Sequence, residues 1–133
     1  MKPESQPLLA RAQQSLREAR ICLEAAETEP FMFHASARAS YYAAFHSARV
    51  PIFERTGKAT KTHSGVNTLF SQLALNEPEF DVKLRAFLSA SYAYKTIADY
   101  EWTPEIRVTR ARAIELLDVS HQFVATKTAI LAA

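Results

Sequence analysis

Glycine is nearly missing from this sequence, at 2 residues of 133. Hairpin-rich β architecture and glycine-rich phosphate loops both need backbone with positive φ or a close approach to a ligand, so both are disfavoured. Cysteine is limited to Cys22, which rules out an internal disulfide and points to a reducing compartment. Cys22 falls within an apolar helical pattern with no histidine beside it, so a packing role is expected over a nucleophilic one. The start, Met1-Lys2-Pro3-Glu4-Ser5, lacks the apolar core of a secretory signal. No apolar run approaches the length of about 20 residues that spans a bilayer. A cytoplasmic protein with no membrane contact is therefore expected. Charge of one sign is lacking too: 16 basic against 14 acidic residues leave a net charge of +2. That is too mild to argue for a nucleic-acid surface, which usually shows a dense basic patch.

The 48% hydrophobic and 23% charged fractions are those of an ordinary globular protein. The length suits one domain over residues 1–133, able to bury a core without disulfide or metal. Apolar spacing predicts five helices. The first runs from about Pro7 to Glu27, ended by Pro30. The second runs from about Phe31 to Arg55 and stops at Gly57, a position suited to a left-handed cap. Pro51 lies inside it and predicts a kink or break near Arg49. Thr62 can cap a third helix from about His63 to Leu75. A fourth is expected from about Phe80 to Asp99. Thr103-Pro104-Glu105 is a strong start signal for a fifth that runs nearly to the end of the chain. The expected fold is all-α, an up-and-down antiparallel bundle of four to five helices.

Metal chemistry finds little support. A di-iron bundle needs paired Glu-x-x-His motifs, and the nearest match is the single pair Asp118 and His121. No metal and no cofactor are expected. Two aromatic and polar clusters stand out instead. In the first, Tyr42, Phe45, His46 and Arg49 lie within two helical turns, which suits a core stripe with polar tips or a stacking site for a base. In the second, Lys95 and Asp99 are four apart and can pair across one turn, with Tyr92, Tyr94, Tyr100 and Trp102 around them. Arg107, Arg110 and Arg112 place basic charge at the start of the fifth helix, against the macrodipole.

At these clusters the sequence resembles a HEPN domain. The residues that carry the likeness are Ala39-Ser-Tyr-Tyr-Ala-Ala-Phe-His46-Ser-Ala-Arg49, Thr62-His-Ser-Gly-Val66 and Lys95-Thr-Ile-Ala-Asp-Tyr-Glu101. The likeness spans about Leu8 to Val124. It implies a helical bundle, usually dimeric, and often a partner of a minimal nucleotidyltransferase in a toxin–antitoxin pair. Many members are metal-independent ribonucleases that carry an arginine, then four to six residues, then a histidine, near the end of a late helix.

By that resemblance, Lys95 stands for the arginine, Tyr100 for the histidine, and Trp102 for a tyrosine that often follows. A tyrosine with pKa near ~10 is a poor base where a histidine near ~6.5 is a good one. Lysine keeps the charge but loses the bidentate fork. Arg38 and His46 do not restore the motif, since seven residues stand between them, one more than the pattern allows, and they lie on an earlier helix. The resemblance therefore implies a non-catalytic binding module, a substrate-binding or regulatory partner of a nucleotidyltransferase. Tyr42, His46, Lys95, Asp99, Tyr100 and Trp102 are its expected nucleotide- or partner-binding residues. The alternative is a divergent metal-independent ribonuclease using Lys95 and Tyr100, with His46 or His63 as the base. A homodimer is expected, with a nucleotidyltransferase, a nucleotide or RNA as further partners.

Overall fold

The computed structural model describes residues 1–100 and 107–132, with side chains described for 1–99 and 107–126. It is all-helical, with five helices: α1 (Ser5–Ala25), α2 (Met32–Thr56), α3 (His63–Ala74), α4 (Val82–Tyr100) and α5 (Arg110–Ala132). They form a bundle in which α2 packs against all four others. Its composition explains how one helix can do so. Ala37, Ala39, Ala43, Ala44 and Ala48 are buried, and Ser36, Ser40 and Ser47 are buried with them. Small side chains on several faces let neighbours approach closely, and a helix apolar on most faces belongs in a core.

Two hydrogen bonds fix the register of α1 on α2. The Ser36 hydroxyl donates to the Ala19 carbonyl at 2.8 Å, and the Ser5 hydroxyl donates to Glu54 at 3.2 Å. The two helices are therefore antiparallel, and α1 begins at Ser5, earlier than Pro7, with Glu54 also receiving the Lys2 N–H. On the far side the Ser120 hydroxyl of α5 donates to the Ser40 carbonyl at 2.7 Å. A dense aromatic knot of Phe70, Phe80 and Phe123, with centroids 5.0–5.3 Å apart, joins α3, the α4 approach and α5.

Pro51 does not break α2. The helix is continuous from Met32 to Thr56 with Pro51 inside it. Val50, Pro51 and Ile52 are all buried, and that burial outweighs one lost backbone donor, since each buried apolar side chain contributes about 1.5–3 kcal/mol. Gly57 does close the helix in the left-handed region, at φ 71°, with its N–H on the Phe53 carbonyl.

The connection from Gly57 to Thr62 is not a tight turn. It doubles back along α2, so that Arg49 Nε donates to the Thr60 carbonyl at 3.0 Å and His63 lands beside Tyr41 and Phe45. Thr62 caps α3 by accepting the Gly65 N–H at 3.0 Å. Asp81 caps the fourth helix through the Leu84 N–H at 2.9 Å.

The start of α5 differs from expectation. Thr103, Pro104 and Glu105 lie outside the described residues. Residues 107–109 are not helical, and α5 opens at Arg110. Thr109 is the capping residue, its hydroxyl accepting the Arg112 N–H at 3.2 Å and its carbonyl the Ala113 N–H at 2.9 Å. A capping threonine with helix formers after it was present in the sequence, but Thr103-Pro104 matched the start pattern better. Arg107 thus precedes the helix. Arg110 pairs with Glu27 and Arg112 with Glu115, each at 3.0 Å.

Candidate functional site

The functional candidates meet where α2, α3 and the last turns of α4 converge. Asp99 is the pivot. Lys95 Nζ stands 2.7 Å from one of its carboxylate oxygens and Arg38 Nε 2.7 Å from the other. The Lys95–Asp99 pair follows from i, i+4 spacing on a helix. The Arg38 contact comes from a different helix, 61 residues earlier. Burial alone would raise the Asp99 pKa, but the bonds from Lys95 and Arg38 prevail and hold it below the ordinary carboxylate value. Arg38 also lies over the Tyr42 ring, 4.8 Å from its centroid, and Lys95 lies 5.9 Å from the Tyr92 centroid. A guanidinium that both pairs with a carboxylate and stacks on a ring is firmly oriented.

A second arrangement adjoins it. The Tyr41 hydroxyl is 2.6 Å from His63 Nδ1. Burial, reinforced by Tyr42 and Tyr92, raises the Tyr41 pKa, so the phenol keeps its proton at neutral pH. Its only hydrogen-bonding partner among the described residues is that ring nitrogen, so the phenol donates and Nδ1 accepts. Neutral His63 then carries its own proton on Nε2. Burial lowers the His63 pKa, with Lys95 lowering it further and Asp99 opposing. The ring is thus neutral and electrostatically coupled to the Lys95–Asp99 pair. The Tyr92 ring lies 5.1 Å from it and the Phe45 ring 4.8 Å. A cavity of about 260 Å³ opens here, lined by Tyr41, His63, Ser64, Asn67, Leu88, Ser89 and Tyr92.

His46 has a different setting. It is 6% exposed and lines a cleft between α1 and α2 with Tyr42 and Arg38 at the other end. Burial, with Arg11 and Arg49 adding to it, pushes its pKa down to about 4, so it is neutral at physiological pH. Tyr42 touches both settings, with its ring 5.8 Å from His46 and 6.0 Å from His63.

The structure therefore brings together Tyr42, Lys95, Asp99 and His63, and sets His46 in the α1–α2 cleft. Tyr100 ends α4; its side chain, and the whole of Trp102, lie outside the described residues. Arg38, set aside in the sequence because it sits on another helix, is a member of the cluster. Tyr41 and Tyr92 were missed as site residues. Only the tyrosine pair Tyr41-Tyr42, already distinctive in the sequence, hinted at the first. Cys22 is partly buried, and burial with the nearby Glu18 raises its thiol pKa, which suits packing over nucleophilic chemistry. Among the described residues no three His, Cys, Asp or Glu side chains gather in a way that could hold a metal ion, and no helix is long and apolar enough to cross a membrane.

Comparison with known proteins places this geometry in context. The HEPN domain model matches residues 5–130, all five helices. A UPF0332 protein of Gloeobacter violaceus is 28% identical over 131 residues, covering 94% of this chain and 99% of that protein. A protein of Methanocaldococcus jannaschii named as a candidate toxin is 31% identical over 84 residues, covering 63% of this chain and 55% of that protein.

Proposed function

The chain belongs to the HEPN domain family, and from that premise we propose that it acts as a non-catalytic binding module of a toxin–antitoxin type system, serving a minimal nucleotidyltransferase as its substrate-binding or regulatory subunit. One observation carries this reading: the candidate proton-transfer groups at the junction of α2, α3 and α4, Lys95 and His63, are already engaged. Lys95 is held by Asp99. The basic nitrogen of His63 is occupied by the Tyr41 hydroxyl. A charge-assisted pair and a part-buried phenol–imidazole bond make a rigid recognition surface, because each group is oriented by its neighbour. The Arg38 guanidinium, half exposed on the Tyr42 ring, offers an acidic or phosphate-bearing partner its first contact.

A symmetric homodimer belongs to the same proposal. Tyr92 is exposed near the cluster, and an apolar groove of about 520 Å³ between α4 and α5 is lined by Phe87, Ala90, Tyr94, Ile97 and Leu116. Aromatic and apolar surface of this kind is what subunit interfaces use. Light scattering at tens of micromolar protein checks it, and a monomer mass removes it.

The second reading, a divergent metal-independent ribonuclease, draws on His63 lying within electrostatic reach of Lys95 and Asp99 and on the name of the Methanocaldococcus relative. One experiment separates the two. The purified chain is incubated with unstructured RNA in excess chelator, and in parallel captured from its native host with mass analysis of what accompanies it. The proposal expects intact RNA and a nucleotidyltransferase in the captured material, lost in Lys95→Ala. RNA cleavage that Lys95→Ala abolishes would establish the ribonuclease instead.

A further inference from the structure

His34 stands in the first turn of α2, and both nitrogens of its ring are committed. Nδ1 lies 3.2 Å from the Phe31 carbonyl oxygen, and Nε2 lies 3.3 Å from the Val108 nitrogen. A carbonyl only accepts, so Nδ1 carries the proton and donates. Nε2 is then bare and accepts the Val108 N–H. Only the neutral ring can make both bonds. Val108 belongs to the non-helical segment 107–109 ahead of α5, where an amide has no intrahelical carbonyl to use. Val108 is 3% exposed and His34 7%, so the bond between them is closed off from water. The ring thus ties the approach to α5 onto the start of α2.

A proton on Nε2 turns an acceptor into a donor and sets two N–H groups against each other in a buried place. The surroundings also disfavour the cation. Burial lowers the His34 pKa, the Phe31 carbonyl opposes, and the charge of Arg107 lowers it further. Among the described residues, Arg110 lines the same cavity and pairs with Glu27, just past the end of α1. On the other side His34 and Arg38, one turn apart on α2, share a cavity wall with Ala98 of α4. Asp99, the next residue of α4, is held by Arg38 and Lys95. We infer that His34 is an acid-operated latch: its neutral ring holds segment 107–109 on α2, and protonation frees that segment while the bundle stays folded. The bundle stays because α5 is fixed elsewhere, by Ser120 on the Ser40 carbonyl and by Phe123 in the aromatic knot. The freed segment withdraws Val108 from a cavity of about 270 Å³ and uncovers the apolar wall that Phe31 and Phe33 present there. The closed form has the lowered pKa. The latch is therefore fully held above the ordinary histidine value of ~6.5 and weakens as pH falls from there through the lowered one. It uses none of Lys95, Asp99 and His63, so it stands or falls apart from the function proposed above.

The test is amide hydrogen exchange of the full chain, followed by nuclear magnetic resonance from about pH 7 to about pH 5. The His34 ring proton resonances are recorded in the same samples. Protection factors remove the intrinsic pH dependence of exchange. The Val108 amide should lose protection by up to about tenfold for each pH unit below ~6.5, the slope set by one proton taken up on opening. The amide of Phe123, which is fully buried in α5, should keep its protection over the same range. His34→Gln offers Val108 an amide oxygen that does not titrate, so Val108 protection in that variant should be flat in pH, whatever its level. The inference is overturned by Val108 protection that is flat in the natural chain, by its loss in step with Phe123, by an undiminished response in His34→Gln, or by a His34 resonance that titrates at or above ~6.5. All but the third are read on the natural chain alone, so they decide the matter even where the variant does not fold.

Discussion

Burial does most of the work in setting the His46 pKa near 4, with Arg11 and Arg49 assisting. An unfolded histidine titrates near ~6.5. Between those values the unfolded chain takes up a proton that the folded chain refuses. Stability is then complete above the unfolded value and falls as pH drops through the folded one. His34 and His63 are also lowered, so the informative quantity is a difference between variants. Urea melts of the natural chain and His46→Gln at about pH 7 and about pH 4 should show the variant losing about 2–3 kcal/mol less on acidification. Asp99 acts at lower pH, its stabilisation present above the ordinary carboxylate value and lost on further acidification. Asp99→Asn at neutral pH should cost about 1–2 kcal/mol in the same melts, because it leaves Lys95 and Arg38 facing a neutral amide. Half of this arrangement was legible in the sequence. Lys95 and Asp99 announce their pairing by spacing, because one helix fixes both. Arg38 and the Tyr41–His63 bond carry no such signature, since their geometry depends on how separate helices dock.

The helices show the same division. Gly57 and Thr62 gave their boundaries away because a positive φ and a capping hydroxyl are local requirements. Of the kink or break expected near Arg49 from Pro51, the break did not occur, since tertiary burial outweighed a local cost. Thr103-Pro104 drew the expected fifth start away from Thr109, which caps α5; Thr103 and Pro104 themselves lie outside the described residues. At Gly65 the local and tertiary terms can be separated by experiment. A Cβ there would sit 2.6 Å from the Thr62 hydroxyl oxygen and 3.1 Å from the Thr60 methyl. Gly→Ala in a helix ordinarily gains about 1 kcal/mol, while losing a threonine cap costs about 1 kcal/mol. Gly65→Ala should therefore be close to neutral in the natural chain. In a Thr62→Ala background, where the cap is already gone, it should be stabilising. A double-mutant cycle of thermal melts checks this, and simple additivity would show that the cap tolerates the methyl.

At the scale of the whole chain, the bundle was legible because five amphipathic stretches have few ways to bury their apolar faces. The path between α2 and α3 was not, since nothing in Lys58-Ala59-Thr60-Lys61 says that the loop returns along α2. That return is what delivers His63 to Tyr41. The sharpest prediction for the intact protein concerns the altered late-helix pair. Lys95→Arg with Tyr100→His supplies a bidentate phosphate fork and a base that titrates near neutrality. The natural chain is expected to leave RNA intact in excess chelator, and the double variant to cleave it detectably on a gel. Robust cleavage by the natural chain would reject the binding-module proposal.

The central place of α2 also sets a timetable. A ribosome adds about 5–20 residues per second, so Arg38 emerges roughly 3–12 seconds before Asp99, the carboxylate that will hold it, if translation runs at that rate. Ser40 waits longer still, for the hydroxyl of Ser120 on the last helix. During that interval α1, and then α3, are the only neighbours α2 can have at full length, and the surface meant for α4 and α5 is bare to solvent or to a chaperone. The newborn chain thus begins as a helical hairpin, with a helix that the finished fold buries along most of its length left half covered. Whatever the finished cluster binds has nothing to bind until the fourth helix has been made.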